Sequence, residues 1–430
     1  MANNLYVTPT EARSGKSAIV LGLMEALIRT TGTVGLFRPI INTPDRTRED
    51  RDIRLIRNHY QLDIPYEETY AFTFQEAREL INLGRQEVLL EGVLNQYKKL
   101  ESQFDFVLCE GTDFETVTSA FEFDINLDIA YNLGSPLLIV TNGRHKSADD
   151  IIDSTNFALE SFEAKDAHIL AVIVNRAVPE LVDEIGSRLR DKLRDTPYLG
   201  HVIPEEPTLG KPTVREIAKI LEAEVLFGED HMEHHVYQYT IAAMQLRHYL
   251  QRVEDGSLVI SPGDRGDIIL GSLASRLAAT YPNIAGILLT GGLRLDPTVA
   301  ELIKGWSEIP APILLVQDDT FSVARRLSTL YTEIDPEDDR KIATVMRLFE
   351  AHVDADRLCQ RLTTSRPRAL TPKMFEYGLI QKAKARKQHI VLPEGVEDRI
   401  LRATEIIVRR DVARITLLGD AEEIDERIRT

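Results

Sequence analysis

The chain has 430 residues, with 51 Lys and Arg against 68 Asp and Glu, a formal net charge of −17. So acidic a chain lacks the basic face a general nucleic-acid binder needs, although a local pocket for a phosphorylated metabolite remains open to it. With 43% hydrophobic and 28% charged residues it is too apolar for disorder, and its length suggests about three domains.

In chain order, the first 200 residues alternate short apolar runs with helical patterns. LYVT from Leu5, TVGLFRPI from Thr33, FDFVLCEG from Phe104, SPLLIVTN from Ser135, HILAVIVNR from His168 and HVIP from His201 read as buried strands. Strands that are apolar throughout and separated by helices indicate a parallel sheet covered on both faces. A second, smaller α/β unit begins near Thr213. In it TVREIAKILEAEV and YQYTIAAMQLRHYL read as helices, SLVISPGDRGDIIL as a strand and SRLAATY as a helix. NIAGILLTGGL comes next as strand and turn, then a helix around ELIKGW and the strand APILLVQDD; DRKIATVMRLFEAHVDADRLCQRL reads as one helix closing the unit. The polar, basic stretch 363–372 reads as a linker. Beyond it come the helix MFEYGLIQKAKARK, the strand QHIVLPEG, the helix DRILRATEIIVRR, the strand ITLLGD and the helix DAEEIDERI. About 60 residues with two parallel strands are few for a free-standing α/β domain, so this reads as an incomplete third one. The expected boundaries are 1–212, 213–362 and 373–430.

Strand LYVT runs into Pro9-Thr10-Glu11-Ala12-Arg13-Ser14-Gly15-Lys16-Ser17 and then an apolar helix. A G-K-S ending puts backbone amides, a lysine and a hydroxyl at a helix N-terminus, which is chemistry for phosphate and, through Ser17, magnesium. The first glycine of the G-x-x-x-x-G-K-[ST] pattern is Thr10 here. Glu110 at a strand end and Asp52 in a polar segment are further metal candidates. The alternative is a relic loop that keeps the fold and binds nothing. In the second unit, Asp264-Arg265 and Thr290-Gly291-Gly292 end strands, where open α/β sheets place ligands. They are either turn glycines with an ion pair or a small-molecule effector pocket. His231, His234 and His235 in HMEHH have helical spacing, read mainly as solvated residues at a helix start. Two cysteines, Cys109 and Cys359, fit a reducing compartment rather than a disulfide framework. No apolar run approaches 18 residues and no signal-peptide pattern opens the chain, so no membrane partner and a cytoplasmic location are expected.

The first domain resembles the dethiobiotin synthetase-like branch of P-loop proteins, through Thr8, Thr10, Glu11, Gly15, Lys16 and Ser17, Arg38-Pro39, Glu110-Gly111 and Asn175-Arg176. That resemblance implies an ATP-shaped site: Thr10, Glu11, Gly15, Lys16, Ser17, Arg38 and Asn175 around a nucleotide, with Ser17, Asp52 and Glu110 around magnesium. Pro9 stands where that branch has a glycine, and Arg38 where it has a lysine; neither swap is neutral. The second unit resembles the family named after D-R-T-G-G. The last segment, through residues 390–395, Asp398-Arg399 and Leu417-Leu418-Gly419, resembles the opening of the phosphate acetyl/butyryl transferase domain. Taken in order, the three resemble long-form phosphate acetyltransferases. This implies acetyl-CoA plus phosphate converted to acetyl phosphate plus CoA, with small metabolites as partners and a homo-oligomer. The family's catalytic residues would lie beyond Thr430, so the chain is expected to be a regulatory and assembly part, inactive alone. Two alternatives remain: an ATP-dependent ligase of the dethiobiotin or cobyrinic acid synthetase type, and a module binding NADH, pyruvate or nucleotides.

Overall fold

The computed structural model describes all residues except 1–2, 44–45, 47, 113–118, 329, 331–333, 365–370 and 430. It contains two compact units, residues 1–205 with 345–430, and residues 206–344.

The first unit is built on seven strands: β1 (Asn4–Pro9), β2 (Val34–Ile41), β3 (Tyr70–Thr73), β4 (Phe106–Glu110), β5 (Leu137–Asn142), β6 (Ile169–Ala177) and β7 (Leu199–Pro204). They form one sheet in the order β3-β2-β4-β1-β5-β6-β7, parallel throughout. Every residue of β1, β2, β4 and β6 is buried, the burial that layers on both faces of a parallel sheet impose. The connecting helices are α1 (Lys16–Thr31), α2 (Arg51–Tyr60), α3 (Phe74–Asn82), α4 (Gln86–Glu101), α5 (Ser119–Asn132), α6 (Ala148–Ala164) and α7 (Val182–Leu193). The six expected strands are all present. The edge strand β3 was not anticipated from sequence; it has four residues and two of them are only half-buried, so its apolar signal is weak. Because β1 lies between β4 and β5, the chain leaves β1 in one direction and later returns to its other side. A crevice opens at such a point, beyond the C-terminal strand ends.

The second unit holds α8 (Val214–Leu221), β8 (Glu224–Phe227), β9 (Gln238–Ile241), α9 (Leu246–Tyr249), β10 (Ser257–Pro262), α10 (Gly266–Leu277), β11 (Gly286–Thr290), α11 (Pro297–Lys304), β12 (Ile313–Leu315) and α12 (Thr320–Ser328). The sheet order is β8-β12-β11-β10-β9, with β8 antiparallel and the rest parallel. Three sequence expectations are corrected here. The helix from Thr213 stops at Glu222, which turns left-handed (φ 53°), and the residues after it join the sheet edge as β8. YQYTIAAMQLRHYL is strand β9 and then one helical turn: its Tyr and Thr residues pair with β10 instead of coiling. SLVISPGDRGDIIL is a strand only to Pro262 and a helix from Gly266.

The expected single closing helix is two, α13 (Asp339–His352) and α14 (Ala355–Thr364). From Val345 onward these residues belong to the first unit, where α14 packs on α1. Helix α1 is apolar nearly all round, and an all-apolar helix must be covered on every side. Phe349 supplies part of that cover, its ring so close to Gly22 that an added Cβ would meet it at 2.2 Å. Most of the expected linker 363–372 falls outside the described residues.

The last elements are α15 (Pro372–Ala385), β13 (His389–Leu392), α16 (Asp398–Arg409), β14 (Arg414–Leu417) and α17 (Ala421–Arg429), each where the sequence placed it. α15 docks on α4 and α5, with Met374 and Tyr377 against the first core. Arg410 ties this segment down through Glu376 (2.6 Å) and Glu91 (3.2 Å). Among the described residues, strands β13 and β14 pair only with each other, and Phe375, Leu379, Val391 and Val408 stay exposed.

Candidate functional site

The loop between β1 and α1 lies at the sheet's C-terminal edge. Gly15 caps α1 in the left-handed region (φ 74°), and a Cβ there would meet Asn175 Nδ2 at 2.4 Å, so both conformation and space require glycine. Asn175, at the end of β6, donates to the carbonyls of Ser14 (2.8 Å) and Gly15 (3.3 Å). Arg176 donates to the Arg13 carbonyl (3.0 Å) and pairs with Glu205. Residues 175–176 therefore clamp the loop from beneath. The Thr10 amide donates to Val140 O (3.0 Å), and Glu11 pairs with Lys146. These two candidates thus tie the loop to β5 and to the segment between β5 and α6.

On the other side, four elements converge. Lys16 is 2% exposed; its Nζ donates to Gly111 O (2.6 Å) and lies 3.1 Å from Glu110 Oε1. Ser17 donates to Asp52 Oδ1 (2.6 Å). Asp52 is held there by α2, whose N-cap Asp50 accepts from the amides of Asp52 and Ile53. Arg38, projecting from β2, bonds Asp52 Oδ2 and Glu110 Oε1 (3.1 Å) through one nitrogen, Nη1, while its Nε lies 3.6 Å from Asp50. Gly111 is needed because a Cβ would sit 3.0 Å from Val7 O and 2.6 Å from Asn126 Oδ1. Ser14 Oγ and Glu110 Oε2 are buried without a hydrogen-bond partner among the described residues, and such atoms call for a ligand or water.

Sequence candidates Lys16, Ser17, Arg38, Asp52 and Glu110 are thus brought together. As they stand, Ser17, Asp52 and Glu110 do not fit a magnesium ion, because the Arg38 guanidinium bridges the two carboxylates. Among the described residues no group of three His, Cys, Asp or Glu could hold a metal. In the second unit, Arg265 pairs with Asp267 (2.8 Å) rather than acting with Asp264, and also donates to Met244 O. Gly291 and Gly292 are both left-handed (φ 76° and 66°), their amides bonded to Asp318 O and Val316 O. Thr290 shares a hydrogen bond with Thr320 (2.7 Å). The residue missed in sequence is Gly263, which lets the loop after β10 press against the Leu293 backbone. His231 and His234 lie in a turn, their rings stacked, and Arg276 donates to His234 Nε2 (3.2 Å).

Residues 3–227, just over half of the chain, match the family model described as AAA domain. The chain belongs to the AAA domain family. After the AAA domain, residues 216–330 match the DRTGG domain and residues 374–430 match phosphate acetyl/butaryl transferase. Similar curated proteins are phosphate acetyltransferases. That of Nitratidesulfovibrio vulgaris is 50% identical over 100% of this chain and 61% of its own length. Those of Synechocystis sp. (38% identical, 100% of this chain, 62% of the relative) and Pseudomonas putida (30% identical, 98% and 60%) are further examples. The chain thus spans about three fifths of the length of these relatives.

Within the AAA domain the carboxylates are driven apart in acidity. Burial raises Asp52, but the charges of Arg38 and Lys16 and the bonds from Ser17 and Arg38 outweigh it, holding the group below its usual value. Burial pushes Glu110 up to about 7; the nearby Asp52 charge adds to this, while Lys16 and Arg38 oppose it. The folded AAA domain therefore binds a proton at Glu110 that an unfolded chain releases near 4.5. The resulting stabilisation is complete below 4.5 and lost as pH rises through about 7. Asp52 acts oppositely, its contribution fading only as pH falls below the ordinary carboxylate value of 3.8. Urea titrations should show wild type losing stability from pH 5 to 8 relative to Glu110→Gln; parallel curves would contradict this.

Proposed function

We propose that this chain is the AAA, DRTGG and opening acyltransferase portion of a phosphate acetyltransferase, which interconverts acetyl-CoA plus phosphate with acetyl phosphate plus CoA. The observation that carries the reading is the ordered series of three domain matches, together with 50% identity to such an enzyme across the whole chain. In that chemistry a CoA thiolate attacks the acetyl carbonyl while cationic groups hold the phosphate. The transferase match is confined to residues 374–430, and the role assigned to the chain is regulation and assembly, in a cytoplasmic homo-oligomer. An acetyl-CoA:phosphate transfer assay on the 430-residue chain should read no turnover above buffer; measurable turnover lost on heat treatment would overturn that assignment.

The P-loop is assigned to an anionic, phosphate-bearing metabolite, supported by the clamped loop and by the Ser14 hydroxyl at its centre, which has no partner among the described residues. The loops at Arg265 and Gly291–Gly292 are a second candidate effector pocket, held by the Gly263 contact.

A further inference from the structure

We propose that Arg38 is the resident cation of the P-loop, occupying the position between Asp52 and Glu110 that would otherwise receive a divalent metal. The position then takes no divalent metal, and Arg38 is the residue that excludes it. The inference concerns the P-loop alone and stands whether or not the acetyltransferase reading holds.

The argument is geometric. Asp52 and Glu110 come from separate elements, α2 and β4, and face one another with Ser17 beside them. A divalent ion would bridge two such carboxylates and a hydroxyl, because hard cations take oxygen ligands. Here one guanidinium nitrogen makes that bridge, contacting Asp52 Oδ2 and, at 3.1 Å, Glu110 Oε1. The same Glu110 oxygen also lies 3.1 Å from Lys16 Nζ. A dication entering there would meet two fixed positive charges within bonding range of its own ligands. Arg38 is 2% exposed and Lys16 2%, so neither can swing into bulk water without opening the core. Nη1 makes both contacts and Nε of the same guanidinium lies 3.6 Å from Asp50, so one buried cation faces three carboxylates. Arg38 is therefore the residue that closes the metal position.

The test uses Mn²⁺ alone, followed by its EPR signal with the full chain. Wild type and Asp52→Asn should give the same isotherm, showing only weak surface binding. Arg38→Met should gain one site at least about tenfold tighter than that background, and Arg38→Met/Asp52→Asn should lose it. Mn²⁺ should correspondingly raise the melting temperature of Arg38→Met and leave that of wild type unchanged. A saturable wild-type site removed by Asp52→Asn would overturn the proposal, as would folded Arg38→Met with no gain. If Arg38→Met does not fold, the wild-type and Asp52→Asn isotherms decide: equality supports the proposal and a lost site defeats it.

Discussion

Arg38→Met is expected to lower the stability of the first unit by about 3–5 kcal/mol, because removing one member of a buried ionic cluster leaves its partners uncompensated. Three carboxylates surround that guanidinium, with Asp50 and Glu110 almost wholly buried and Asp52 20% exposed at its side chain. Lys16 remains, but it already serves Glu110 and the Gly111 carbonyl. Adding Asp52→Asn should restore part of the loss, since the two side chains share one contact and their effects cannot be additive. Urea unfolding at pH 7 reads both numbers. A single-variant loss below about 1 kcal/mol, the range of exposed ion pairs, would mean that water reaches the cluster.

Gly263→Ala should damage the second unit comparably, by about 3 kcal/mol, at the upper end of overpacking effects. A Cβ at Gly263 would lie 1.6 Å from the Leu293 carbonyl oxygen, and the obstruction is backbone, which no side-chain rotation relieves. The loop after β10 would have to separate from the Gly291–Gly292 loop. Gly210→Ala is the matching control, with nothing within 4 Å of its Cβ. Differential unfolding of the two variants separates a steric loss from a general glycine effect; equal stabilities would show that the two loops do not touch in solution.

How far each element is legible in the sequence depends on how strongly its local composition states its burial. Strands such as β1, β4 and β6 are apolar at nearly every position because helices cover both faces of a parallel sheet, so local composition announces them. Edge strands β3, β8 and β9 have one open side and mixed residues; their pairing energy comes from partners far along the chain, which no local window contains. The helical look of residues 237–250 yields to that pairing. The same division runs through the site. Lys16, Ser17, Asp52 and Glu110 could be named from a strand, a glycine-bearing turn and acidic residues at a strand end and in a polar segment. That one nitrogen of Arg38 bridges Asp52 and Glu110, that Asn175 clamps the loop, and that residues after Val345 cover α1 are tertiary facts. They depend on where separate elements come to rest, and a side chain's charge state and reach are set by those neighbours rather than by its position in the chain.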